Sequence, residues 1–163
     1  MILDSRRTFF KNAFLGGAVL IMCGSKVYAA VSPLQTIKLV QYDLFPRIKS
    51  FEVDAKKYLL IILDHSKISD NEKRFLRNGV QWLNQEALKI YNDMYVNLAS
   101  DERERVLQEI SKYRWGESWI ESLLTYTMEA LFSDKVYGVN NDAKASEWLG
   151  FEAGYPRPKE PFL

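Results

Sequence analysis

Residues 69–94 read Ser69-Asp70-Asn71-Glu72-Lys73-Arg74-Phe75-Leu76-Arg77-Asn78-Gly79-Val80-Gln81-Trp82-Leu83-Asn84-Gln85-Glu86-Ala87-Leu88-Lys89-Ile90-Tyr91-Asn92-Asp93-Met94, and this stretch decides the fold. Ser69 with Glu72 three residues on has the spacing of a capping box, in which the Ser cap contributes about 1 kcal/mol. Phe75, Leu76, Gly79, Val80, Leu83, Ala87, Ile90, Tyr91 and Met94 recur at helical spacing and mark one inward face. A glycine inside a helix costs about 1 kcal/mol relative to alanine, so Gly79 predicts a close helix crossing at its position.

The pattern extends in both directions. The five prolines stand at 33, 46, 156, 158 and 161, and the chain between Arg47 and Tyr155 is free of them. Leu34, Ile37, Gln41 and Leu44 space as a first helix that stops near Pro46. The apolar run Leu59-Leu60-Ile61-Ile62-Leu63 lies between Asp54 and the Asp64-His65-Ser66 break, which favours a short buried helix over a strand. Ser100 is placed to cap a further helix with Asp101 and Glu102 in its positive first turn, Val106, Leu107, Ile110 and Tyr113 facing inward. Trp119, Ile120, Leu123, Leu124, Thr127, Met128, Leu131 and Phe132 form a broad apolar stripe on a fourth long helix. The expected fold is all-α: a compact bundle of about five helices with an extended proline-rich tail.

The first 29 residues read differently. Ser5-Arg6-Arg7-Thr8-Phe9-Phe10-Lys11 precedes a short apolar segment interrupted by glycines, the layout of an export signal rather than a membrane span. The stretch resembles the twin-arginine consensus S-R-R-x-F-L-K, with Ser5, Arg6, Arg7, Phe9 and Lys11 matching and Phe10 at the Leu position. A cut after Ala29 follows from the small or modest side chains of Val27-Tyr28-Ala29. An ordinary secretory signal and an uncleaved anchor are the competing readings. Residues 1–29 are thus expected to be a signal peptide and 30–163 a single domain in the periplasm.

Charge and composition narrow the function. Beyond residue 29 the chain carries 18 bases against 20 acids, which argues against nucleic acid. Cys23, the single cysteine, lies in the signal segment, so the body has no disulfide framework, zinc-thiolate site or CxxCH haem attachment. His65 is the single histidine, no G-x-S-x-G elbow occurs, and no Walker or dinucleotide glycine pattern is present. Glu117, Glu121 and Glu129 read as a solvated helix face. No catalytic, cofactor-binding or metal residue is expected in this chain.

The late aromatics carry the information. Trp115 and Trp119 stand four apart across a helix start. Asp134, Tyr137, Gly138 and Asn140 form a compact turn, and Trp148-Leu149-Gly150-Phe151 follows. The tail from Tyr155 through Arg157 to Pro161 is expected to be extended. Two readings stand side by side: a small aromatic core with a frayed end, or a partner surface, for which Trp, Tyr and Arg are suited. On the second reading Trp115, Trp119, Asp134, Tyr137, Gly138, Asn140, Trp148, Phe151, Tyr155 and Arg157 are the interface candidates.

Phe132-Ser133-Asp134-Lys135-Val136-Tyr137-Gly138-Val139-Asn140 followed by Trp148-Leu149-Gly150-Phe151 resembles the signature of the gluconate 2-dehydrogenase subunit 3 family, F-x-D-P-x-Y-G-G-N then G-W-x-x-x-G-F. The chain departs from it with Lys135 at the Pro position, Val139 at the second Gly, and Ala145-Ser146 where Gly-Trp is common. The resemblance implies the non-catalytic small subunit of a periplasmic dehydrogenase for gluconate, another sugar or an alcohol. Its partners would be a large FAD-bearing subunit of the glucose-methanol-choline type and a c-type cytochrome subunit holding haem c. The signal would engage the twin-arginine translocase, so that the small subunit escorts the folded flavoprotein and stabilises it. A stand-alone exported ligand-binding protein is the alternative.

Overall fold

Capping chemistry and proline placement set the helix boundaries. The computed structural model describes Met22–Cys23, Lys26–Val27, residues 32–151 and residues 156–162. The signal residues Ser5, Arg6, Arg7, Phe9, Lys11 and Ala29 lie outside the described residues, and so does Tyr155. Met22–Cys23 and Lys26–Val27 pair antiparallel, Met22 opposite Val27.

Helix α1 (Pro33–Leu44) starts on a proline, whose missing N–H has no partner to lose in a first turn. It ends ahead of Pro46, and a 3-10 turn, Pro46–Lys49, follows. In α2 (Ala55–Asp64) the Asp54 carboxylate accepts the Lys57 N–H at 3.0 Å. Helix α3 (Asp70–Tyr91) is capped by Ser69, whose hydroxyl accepts the Glu72 N–H at 3.2 Å. The Glu72 carboxylate does not close the box on Ser69; it accepts from the Tyr126 hydroxyl instead. The helix stops where Asn92 turns left-handed at φ 55°, a conformation asparagine tolerates, so Met94 is buried beyond its end and Ile90 is exposed.

Helix α4 (Ser100–Ile110) starts one residue earlier than the Ser100 cap predicts. Ala99 holds the cap position, and the Glu102 carboxylate takes its N–H at 2.9 Å. Helix α5 (Arg114–Phe132) supplies the broad apolar stripe and α6 (Lys144–Trp148) is a short final turn. Tyr113 and Phe132, both expected to face inward, are exposed because each sits at an end of α5, where the bundle no longer covers it.

The core forms where α1, α2, α3 and α5 meet, with Ile37, Val40, Leu59, Leu76, Leu83, Leu123 and Leu131 essentially sealed from water. The predicted crossing at Gly79 is real. A Cβ there would lie 2.1 Å from Trp119 Nε1, and that indole N–H donates to the Leu76 carbonyl at 3.0 Å. The segment after α3 is tied down by polar contacts. Asp43 receives Arg103 in bidentate fashion at 2.7 and 2.9 Å and the Tyr95 hydroxyl at 2.8 Å, while the Tyr95 N–H reaches Asn84 Oδ1 at 3.1 Å. Burial first, and then the Asp43 carboxylate, raise the Tyr95 pKa well above its ordinary value, keeping the phenol a donor.

Candidate docking surface

The turn after α5 is built to satisfy a helix end. The last carbonyls of a helix lack intrahelical partners. Here the Asn140 Nδ2 donates to Leu131 O at 2.8 Å and Ser133 O at 3.2 Å, and the Ser133 hydroxyl donates to Ala130 O at 2.9 Å. Asp134 then caps the 3-10 turn Lys135–Tyr137 by accepting the Val136 N–H at 3.0 Å. Gly138 closes the turn with φ +64°, the left-handed region that glycine enters without steric cost. Lys57 fastens the loop to α2 by donating to Gly138 O at 2.7 Å. Val139, at the family's second glycine position, is buried and its carbonyl accepts the Asp54 N–H at 3.2 Å. The left-handed residue is therefore Gly138, and a side chain at 139 completes the core.

The tail folds back on this turn. Arg157 Nη1 lies 2.9 Å from Asp134 Oδ2, and the Phe162 N–H donates to the Tyr137 hydroxyl at 3.1 Å. The Arg157 guanidinium, and next the Val136 N–H, hold the Asp134 carboxyl below the usual carboxylate range. Tyr137 itself packs edge-on against Tyr58, ring centroids 6.5 Å apart.

Two of the residues expected on a partner surface are buried instead. Trp119 is 0% exposed, because Gly79 opens a slot for its ring and Leu76 O accepts its N–H. Asn140 is 2% exposed, because its amide is consumed by the α5 carbonyls. Trp115 is half-buried, its ring 5.0 Å from Trp82 and stacked on Tyr113 at 6.3 Å. It belongs to a chain of rings that continues to Phe75.

Among residues 32–151 the most exposed large apolar side chains are Trp148 at 55%, Leu149 at 56% and Phe151 at 57%. The Phe151 N–H bonds Ser146 O at 2.9 Å, so a hydrogen-bonded backbone displays these side chains. Trp148 leans on Phe51, ring centroids 5.7 Å apart, and the Arg47 guanidinium lies 5.1 Å from its ring centroid. Sequence reasoning missed Leu149, Phe51 and Arg47. For Leu149 the signal was present in its position between Trp148 and Phe151, whereas Phe51 and Arg47 reach the site only through tertiary packing.

A second polar cluster joins α2, α3 and α5. The Tyr58 hydroxyl donates to Glu129 Oε2 at 3.2 Å and the Tyr126 hydroxyl to Glu72. Burial first, and then these carboxylates, raise both tyrosine pKa values. At neutral pH these phenols stay protonated, which suits hydrogen-bond donors and not a base or nucleophile. Among the described residues no group of three His, Cys, Asp or Glu side chains is placed to hold a metal ion, and no helix is long and apolar enough to cross a membrane. Exposed aromatic and aliphatic side chains gathered in this way are of the kind that protein interfaces bury.

A protein-family model described as Gluconate 2-dehydrogenase subunit 3 matches residues 45–154. That span takes in the turn, α6 and the exposed triad. No curated protein and no solved structure matches the chain.

Proposed function

Since the chain belongs to the gluconate 2-dehydrogenase subunit 3 family, we propose that it is the non-catalytic small subunit of a periplasmic FAD-dependent dehydrogenase complex acting on gluconate, another sugar or an alcohol. It docks on the large flavoprotein subunit, carries that subunit through twin-arginine export, and stabilises it within a complex completed by a c-type cytochrome. The observation that carries this reading is the triad Trp148, Leu149 and Phe151, exposed on a helical bundle whose core is otherwise closed. FAD is loaded in the cytoplasm, so the flavoprotein crosses the membrane folded, and a signal on a tightly bound partner serves for both chains. The C-terminal arm is tied to the neighbouring turn through Arg157 on Asp134 and the Phe162 N–H on the Tyr137 hydroxyl.

The test is co-purification. The tagged full chain is expressed with the flavoprotein of its complex, and flavin absorbance is read per mole of small subunit. Trp148→Ala with Phe151→Ala is expected to remove the flavin while leaving the helical melt of the small subunit within a few degrees of the parent. A variant that retains the flavoprotein fully sinks the docking surface. A colourless monomer from the parent chain favours the stand-alone binding protein.

A further inference from the structure

We propose that the partner meets this surface with an acidic rim around an apolar socket, the socket taking Trp148, Leu149 and Phe151 and the rim pairing with Arg47, Lys49 and Lys38. The proposal rests on the subunit reading above. Its ground is a set of cations held on rings and left unpaired among the described residues. Arg47 lies 5.1 Å from the Trp148 centroid, and the ammonium groups of Lys49 and Lys38 lie 4.8 and 5.5 Å from the Tyr42 centroid. Among the described residues none of the three side chains forms an ion pair or donates a hydrogen bond.

Acids close to them in sequence make contacts of their own. Glu52 binds Lys144 at 2.6 Å, with Asp142 at 3.9 Å from the same ammonium. Glu147 also acts on Lys144, whose pKa is raised by the Glu52 hydrogen bond first and by these neighbouring charges after it. Asp43 is occupied by Arg103 and Tyr95. Among the described residues, therefore, no carboxylate pairs with these three positive charges, of which Arg47 lies directly against the exposed Trp148.

A ring beneath a cation restricts its rotamers while leaving N–H donors available, and a guanidinium keeps a planar fork for a carboxylate. Pre-placing these side chains lowers the ordering cost of pairing with a partner. Aromatic anchors at the centre with charge at the margin is the layout of a protein interface. Trp, Tyr and Arg, the residues gathered here, are those that most often dominate binding.

Flavin retained per mole of small subunit, measured across a salt series with the co-expressed flavoprotein, tests the proposal. Arg47→Glu with Lys49→Glu is expected to lower retention at low salt at least tenfold and to flatten the salt dependence seen with the parent. Arg47→Gln with Lys49→Gln is expected to fall between them. Arg74→Glu with Arg105→Glu, the same charge change at exposed positions on α3 and α4, is expected to stay within twofold of the parent. If the double reversal keeps its flavin and the parent's salt profile while the Trp148 variant loses it, complementarity is overturned and the subunit reading stands. If no form retains flavin, both fall. If the reversal instead abolishes sedimentation with phosphatidylglycerol vesicles and leaves flavin retention intact, the cations serve a lipid surface and the acidic partner rim is overturned.

Discussion

Gly79→Ala sets helix propensity against packing at one atom. Propensity alone predicts that alanine in the middle of α3 stabilises the chain by about 1 kcal/mol. The added Cβ, however, would sit 2.1 Å from Trp119 Nε1 and 2.2 Å from Cδ1. The ring is fully buried and cannot swing into solvent. Overpacking of this kind costs about 1–3 kcal/mol. Displacing the indole from Leu76 O strands a buried donor, at about 1–3 kcal/mol more. Set against the propensity gain, the expected net loss is about 1–5 kcal/mol, and its midpoint in a chain of this size lowers Tm by roughly 10 °C. Urea unfolding followed by far-ultraviolet circular dichroism reads it as a lower midpoint at unchanged slope. A double-mutant cycle isolates the clash: in a Trp119→Leu background the same Gly79→Ala change should lose most of its penalty. A Gly79→Ala protein as stable as the parent, or an equal penalty in both backgrounds, refutes the argument that the ring dictates the glycine.

Further outcomes follow from other contacts. Asp134→Asn is expected to release the C-terminal arm, read as faster hydrogen exchange at the Phe162 amide. The same release is expected in the parent on acidification: the depressed Asp134 pKa means the contact is complete above the ordinary carboxylate range and is lost as pH falls through the lower folded value. Arg103→Ala leaves a largely buried Asp43 carboxylate with only the Tyr95 hydroxyl, and a loss of about 3 kcal/mol in urea unfolding is expected. Arg6→Lys with Arg7→Lys is expected to strand both this chain and its flavoprotein in the cytoplasm. Normal periplasmic recovery of the pair, measured by fractionation, refutes the escort role.

The helices were legible because their signals are local. Ser69 ahead of Glu72 and Asp54 ahead of Ala55 act within a few residues, no proline between Pro46 and Pro156 interrupts the pattern, and the elements formed there. Gly79 was legible as a crossing because a glycine in a strong helix needs a neighbour to justify it. The identity of that neighbour was not legible, since nothing near Trp119 in the chain says that its ring meets α3. Trp119 and Trp148 carry the same side chain in similarly aromatic surroundings, yet one is sealed and the other open. The difference is decided by elements far away in sequence. Asn140 misled for a related reason: a polar residue in a turn reads as surface, and only the α5 carbonyls reveal it as a cap. The cations escaped because Arg47 and Trp148 are brought together by folding alone.

The four tryptophans occupy unequal optical settings. Trp119 lies in a dry slot, Trp82 and Trp115 share one ring contact, and Trp148 stands in water beside a guanidinium. In a Trp119→Phe, Trp82→Phe, Trp115→Phe chain the emission of Trp148 alone would report its surroundings. It should be red-shifted and open to acrylamide while the surface is bare, and blue-shifted and shielded once covered. The residue argued to anchor the complex is thereby also its built-in fluorophore, giving association a label-free signal in real time.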